Sequence, residues 1–338
     1  MTAALRPAAK QASVSGALSR NRSIAIGLGV LIVLLVIGAA LVGNFLAAEN
    51  LRSMLLLAAF LGLASLGQTL CALLGGLDLS IAYVIGAANI LLPKLINLGL
   101  PPVLAVIVVA IGGAVIGAVN GLLSFRLQGQ ALIVTLGVGF AVLGGAQILT
   151  SLGSSFAGTV YGVVPVWLSN MAAINGTTFG LHFPPIILVW LVISAGLIMI
   201  MHRSWFGRSL YALGNSRLAA SRLLISELKL WVAVYAISGL MAAITGVLLL
   251  GFSGGGFADV GNPYLFTTVA AVVIGGTSLL GGWGGYGATV IGTLVLTVLT
   301  TILVGIGLNY AAQQAVFGLL IVPVVALYAR SPPIRMQI

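Results

Sequence analysis

Charge is what this sequence has least of: 5% of its 338 residues are charged and only four are acidic, against roughly a quarter in soluble domains. That scarcity excludes a water-soluble globular protein, a disordered chain and a conventional two-domain enzyme. A single cysteine, Cys71, excludes an intrachain disulfide. The acids Glu49, Asp78, Glu227 and Asp259 are scattered and the two histidines, His182 and His202, stand far apart. Paired-carboxylate catalysis and a metal centre are therefore not expected, and neither is any catalytic residue. No glycine-rich loop ends in Gly-Lys, which removes the usual phosphate cradle and with it ATP hydrolysis by that route. Gly282-Trp283-Gly284-Gly285-Tyr286-Gly287 matches a dinucleotide fingerprint by letter, yet no acid follows it to hold a ribose. No cofactor is expected.

Apolar residues are what is present in quantity, at 60% of the chain, with 46 glycines and a mean hydropathy of +1.23. At about 20 residues per span, the apolar content suffices for about ten membrane helices. Apolar runs of that length recur, whereas transmembrane barrels alternate over segments of about ten residues. The expected fold is all-α, with spans near 24–46, 53–74, 80–97, 103–124, 131–151, 184–202, 229–251, 264–280, 286–306 and 311–329. With both termini inside, 12 of the 14 basic residues fall on the cytoplasmic side, leaving Arg52 and Lys94 outside. The positive-inside bias selects that orientation. The net charge of +10 then belongs to the membrane-facing cytoplasmic segments, with lipid headgroups as neighbours, and no nucleic-acid partner is expected. The chain divides into a basic leader at 1–23, one transmembrane domain at 24–329 and a cytoplasmic tail at 330–338.

Two connections are long. Residues 152–183, with Ser154, Ser155, Pro165, Asn170, Asn175 and His182, carry no Lys or Arg and lie on the external side. They either dock an external partner or fold back over the bundle. Residues 203–228 are basic and cytoplasmic, and Ser216 to Ile225 reads as a short amphipathic helix. Asn215 or Ser216 would cap it, Gly214 would make the preceding turn, and Ala219 and Ala220 would let a partner backbone approach. The alternative is a helix that lays its arginines among headgroups.

Gly75-Gly76 interrupts one apolar run, and Gly275-Gly276 interrupts another 200 positions later. Paired interruptions in two halves of a membrane protein point to a transport pathway, so two weakly repeated halves are expected. Asp78 lies beside the first break, where a charge needs a partner or a function; capping the following helix is the simplest role. Gln68, Asn89 and Asn120 are the other polar candidates for the pathway, with helix-to-helix hydrogen bonding as the plain alternative. Gly113, Gly117 and Gly121 form a stripe suited to close helix packing.

Several runs carry a resemblance: Gly67-Gln68-Thr69-Leu70, Gly75 through Ser80, Asn120-Gly121-Leu122-Leu123, Ile133 through Gly137, Tyr211-Ala212-Leu213-Gly214, and Val273 through Leu279. In order and spacing they look like the permease subunits of bacterial ribose/xylose-type ABC importers. The resemblance implies a permease of the inner membrane that pairs with a second permease subunit, identical or not. It also implies a periplasmic binding protein that delivers solute and a separate cytoplasmic ATPase. The ATPase-contacting segment of such permeases falls on the stretch from Tyr211, which includes Gly214, Asn215, Ser216, Ala219, Ala220 and Arg222. The chain departs from the family in three places. Gly214-Asn215-Ser216 replaces Gly-Gly-Asn, Leu224-Ile225 replaces Gly-Ile, and Leu265, Phe266 and Thr267 stand where ribose-type members carry Glu-Leu-Asp. The expected function is alternating-access import of a sugar or similar polar solute. The rivals are an ion-coupled transporter using Asp78 and a permease for a non-sugar solute such as branched-chain amino acids or nucleosides.

Overall fold

A computed structural model describes residues 9–127, 130–152 and 158–328, with side chains described between 24 and 319. Arg6 of the leader, Ser154 and Ser155 of the 152–183 connection, and the tail at 330–338 lie outside the described residues. Helices dominate: α1 (Ala9–Leu41), α2 (Ala48–Leu73), α3 (Ile81–Asn97), α4 (Pro102–Arg126), α5 (Ala131–Ser151), α6 (Val166–Ala172), α7 (Pro185–Arg203), α8 (Trp205–Asn215), α9 (Arg217–Arg222), α10 (Glu227–Ser253), α11 (Tyr264–Ile274), α12 (Tyr286–Gly305) and α13 (Tyr310–Tyr328). Two short strands, β1 (Thr159–Val160) and β2 (Gly256–Phe257), pair antiparallel, Thr159 opposite Phe257.

Among the described residues, seven helices are long and apolar enough to cross a membrane: α1, α2, α4, α5, α7, α10 and α12. Two shorter apolar stretches, Ile81–Asn97 and Ala258–Ile274, join them. At 1.5 Å per residue, α3 is about 26 Å long and α11 about 17 Å, both under the roughly 30 Å of a bilayer core.

The boundaries differ from expectation where backbone chemistry overrides hydropathy. The span expected at 264–280 stops at Ile274, because Gly276 turns left-handed (φ 84°). The first helix ends at Leu41 rather than 46, followed by a turn in which Asn44 has φ 57°, and it begins at Ala9, inside the basic leader. Prolines start α4 and α7 at their first helical positions, where a missing N–H costs nothing.

Helix α2 is buried along nearly its whole length and is the axis of the bundle, packed on α10, α11, α12 and α7. Its apolar residues share a core with those of α3, α7 and α10. The most extensive contact is α4 on α10, and the expected glycine stripe makes it. A Cβ at Gly117 would meet the Tyr235 carbonyl, one at Gly113 would meet Ala243 and the Gly239 carbonyl, and one at Gly239 would meet the Gly113 carbonyl. Each helix thus presents a glycine to the other's backbone, an approach only glycine permits. The long connection between α5 and α7 folds back: Leu168 and Ala172 of α6 are buried in the main core, and β1 pairs with β2 at the end of α10.

Candidate functional site: two helix breaks and the α8–α9 segment

Both Gly-Gly interruptions end helices by the same backbone device. After α2, the Gly75 N–H bonds the Ala72 carbonyl at 2.9 Å and the Gly76 N–H reaches back to Cys71 at 2.9 Å, with Gly75 left-handed (φ 79°). After α11, the Gly276 N–H bonds Val273 at 2.8 Å and the Thr277 N–H reaches Val272 at 3.0 Å, with Gly276 left-handed. These are two Schellman caps. Their register is 201 residues, not the 200 at which the letters match. In the first pair the leading glycine turns the chain, and in the second the trailing one does. The remaining glycine of each pair is needed for space. A Cβ at Gly76 would meet the Tyr235 hydroxyl at 2.5 Å, and one at Gly275 the Ala288 carbonyl at 2.5 Å.

Asp78 is buried just past the first break, at 1% exposure. Its Oδ1 accepts the Ser80 N–H at 3.0 Å and the Ser80 hydroxyl at 2.6 Å, and its Oδ2 accepts the Ser238 hydroxyl at 2.7 Å. The position immediately before α3 is Ser80, whose hydroxyl is given to Asp78 instead of to the helix. The carboxylate therefore ties the start of α3 to α10. Around it, Gln68 Oε1 accepts the Asp78 N–H at 3.3 Å, Asn120 Nδ2 donates to Ser80 Oγ at 2.8 Å, and Thr135 Oγ1 accepts the Leu79 N–H at 3.0 Å. The Tyr235 hydroxyl donates to the Leu77 carbonyl at 3.2 Å.

Three of the four polar candidates, Gln68, Asp78 and Asn120, thus come together from α2, the break and α4. Asn89 does not. It sits on α3 with its Nδ2 on the Gly246 carbonyl at 2.9 Å and its Oδ1 accepting the Phe257 N–H at 2.7 Å, a bracket between α3, α10 and β2. Gln68 Nε2 and Asn120 Oδ1 are buried with no hydrogen-bond partner among the described residues. Sequence reasoning missed Ser238, Thr135 and Tyr235. A hydroxyl beside a glycine, Ser238-Gly239, in the apolar run of α10 was the available signal for Ser238.

The α8–α9 segment is organised differently from expectation in two respects. Gly214 makes no turn: it lies within α8, where a Cβ would strike the Leu73 carbonyl. Ala220 is not on the outer face: it is fully buried in the core that holds Leu70, Leu73 and Leu213, while Ala219 is exposed. A six-residue helix turns less than twice, so adjacent alanines point to different sides. Ser216 is the cap, its hydroxyl accepting the Ala219 N–H at 3.2 Å. Arg217 pairs with Glu227 at 3.2 Å and lies 5.9 Å from the Trp231 ring centroid, which closes the segment onto α10.

Helix α9 also ends in a Schellman cap, with Leu224 N–H on Ser221 at 3.0 Å and Ile225 N–H on Ala220 at 3.1 Å. Leu224 occupies its left-handed position at φ 56° with its side chain 92% exposed. That conformation costs a non-glycine residue about 1 kcal/mol or more. Leu224→Gly is accordingly expected to raise stability by about 1 kcal/mol, read as a higher midpoint in thermal unfolding of the detergent-solubilised protein.

The two breaks and this segment meet at one junction. The Gly282 N–H bonds the Leu73 carbonyl at 3.0 Å, Asn215 Nδ2 donates to the Gly282 carbonyl at 3.2 Å, and the Tyr211 hydroxyl donates to the Gly284 carbonyl at 2.8 Å. The glycine-rich run that resembled a dinucleotide fingerprint is the loop that joins α11 to α12, packed against the end of α2. Among the described residues, no three His, Cys, Asp or Glu side chains cluster as metal ligands would.

The sequence matches known proteins. A family model described as "Branched-chain amino acid transport system / permease component" matches residues 50–325. The "Probable ABC transporter permease protein YphD" of Escherichia coli (strain K12) is 31% identical over 319 residues, covering 94% of this chain and 92% of that protein. The autoinducer 2 import system permease protein LsrD of Salmonella typhi is 29% identical over 265 residues, 78% of this chain and 79% of that protein. LsrD of Yersinia pestis (strain Pestoides F) is 29% identical over 265 residues, 78% of each chain. Helices apolar enough to cross a membrane, buried breaks beside a polar network and a match over most of the sequence converge: the chain belongs to the branched-chain amino acid transport system permease family and is a multi-pass membrane permease.

Proposed function

We propose that the chain is one of two permease subunits, alike or different, that carry a sugar or sugar-like polar solute across the bacterial inner membrane by alternating access. A periplasmic binding protein delivers the solute and a separate cytoplasmic ATPase supplies the energy. The observation that carries this reading is the junction: α8, which leads directly into the exposed basic helix α9, is hydrogen-bonded through Asn215 and Tyr211 to the loop that follows the second break, and that loop is bonded to the end of α2. Such a junction is what an ATPase on one face would need in order to move a pathway inside the bundle.

In the proposed topology about ten helices span the membrane with both termini inside, residues 203–228 face the cytoplasm and 152–183 the periplasm. The docking face is the outer side of α9, where Arg222, Ala219 and the exposed Leu218, Leu223 and Leu224 gather. Ala220 supports that helix from within. The pathway runs beside Gln68, Asp78 and Asn120. The buried Gln68 Nε2 and Asn120 Oδ1 supply one donor and one acceptor for solute hydroxyls. A relative named for autoinducer 2 import shows that the family's solutes are not confined to amino acids. The motif resemblance to ribose/xylose-type permeases favours a sugar.

Reconstitution tests the proposal. The purified chain is expected to hydrolyse no ATP, and proteoliposomes are expected to take up solute only when ATPase and binding protein, co-purified from native membranes, are added. Uptake by this chain alone, driven by an H⁺ or Na⁺ gradient, would overturn it in favour of an ion-coupled transporter.

A further inference from the structure

We infer that Asn215 is the positioning residue that transmits movement of the ATPase-facing segment to both helix breaks; the inference rests on the reading of α9 as the docking helix. The Asn215 side chain has two amide protons, and both are committed. Nδ2 donates to the Tyr211 carbonyl of its own helix at 2.8 Å and to the Gly282 carbonyl of the loop at 3.2 Å. Gly282 in turn gives its N–H to the Leu73 carbonyl at 3.0 Å, the last residue of α2. That carbonyl is one of the four a helix C-terminus leaves unpaired, so the loop after α11 completes the end of α2.

No slack exists in the junction. A Cβ at Gly214 would strike the Leu73 carbonyl, and one at Gly282 would lie 2.7 Å from Asn215 Cγ. Gly75, the turning residue of the first break, faces the Leu280 carbonyl at 3.1 Å from its own Cβ position. Three backbone segments therefore touch without intervening side chains, and the Asn215 side chain hydrogen-bonds α8 to the loop at Gly282. It stands one residue before Ser216, which caps α9. A displacement of α9 has a two-residue path to the loop, and through Leu73 to the break that holds Asp78. Tyr211, one turn earlier, holds the same loop at Gly284 and sets its resting position.

The residue is exposed, so changing it leaves the core intact. Asn215→Asp keeps the shape and removes both donated protons at neutral pH, and Asn215→Ala removes the group. Both are placed in the assembled transporter together with Leu280→Cys, an exposed position (67%) on the loop; the background without it controls for the buried Cys71. With native Asn215, labelling of Leu280→Cys by a water-soluble maleimide is expected to differ between nucleotide-free and vanadate-trapped states. In Asn215→Asp, ATPase capture stays within about twofold, that difference disappears, and uptake per ATP hydrolysed falls about tenfold, the size of one lost hydrogen bond. Unchanged uptake per ATP, or a persisting labelling difference, overturns the inference. Loss of ATPase capture or of thermal stability in both variants also overturns it, because Asn215 would then be a docking or folding residue. The docking reading is judged apart: Arg222→Glu on the outer face should abolish ATPase capture, and normal capture there sinks that reading whatever Asn215 does.

Discussion

Asp78→Leu is expected to abolish uptake and to leave little folded protein, whereas Asp78→Asn is expected to keep uptake within about threefold of wild type. The carboxylate accepts one N–H and two hydroxyls in a site closed to water. Hydrogen bonds to a charged acceptor are worth about 1.5–3 kcal/mol each, so leucine strands three donors at a cost of about 4 kcal/mol or more, even after the burial cost of the charge is removed. Asparagine has the same shape. Its Oδ1 still accepts from Ser80, and its Nδ2 faces Ser238, whose hydroxyl rotates from donor to acceptor. ATP-driven uptake in proteoliposomes and thermal unfolding in detergent separate the two effects. A well-folded Asp78→Asn that captures its ATPase but transports nothing would show that the charge itself is used in translocation, which is what ion coupling would require.

The second large effect belongs to the α4–α10 contact. Gly117→Ala is expected to destabilise the protein by about 3 kcal/mol, the upper range for overpacking, because the added methyl meets backbone and not a side chain that can rotate away. Gly117→Val should prevent accumulation altogether. Gly112→Ala, on a neighbouring face of the same helix with nothing within 4 Å of the new Cβ, should be neutral or stabilising by up to about 1 kcal/mol, since alanine is the better helix former. Equal stability of Gly112→Ala and Gly117→Ala in a thermal shift assay would show that the two helices do not pack by their glycines.

How far the sequence reads through to this structure varies with the kind of signal. The helices and the glycine stripe are legible because they are repetitive: apolar runs of span length, and glycines at four-residue spacing, leave few other uses for those residues. The breaks are legible as places. Their register is not, because either glycine of a pair accepts a left-handed turn, and only the neighbouring backbone decides which one takes it. The inward direction of Ala220 was hidden for a related reason: two adjacent alanines in a six-residue helix carry no periodicity. The Asp78 network was half legible. A buried acid demands donors, but Ser238 lies 160 residues away and becomes one only through the packing of α10. The substitution of Leu224 for a family glycine was visible in the letters, while the left-handed cap it occupies was not.

The one-residue offset between the breaks reaches beyond the caps themselves. At the structural register of 201, the counterpart of Gly75 is Gly276 and that of Asp78 is Leu279, an apolar residue packed beside Leu79 and Val273. The two breaks end a helix alike but differ chemically just past it: one reversal carries a carboxyl group, the other a hydrocarbon. Any event in the cycle that senses charge at a helix break therefore occurs once per chain. In a pair of identical chains, its second occurrence would be related to the first by the axis between subunits and not by the second break of the same chain.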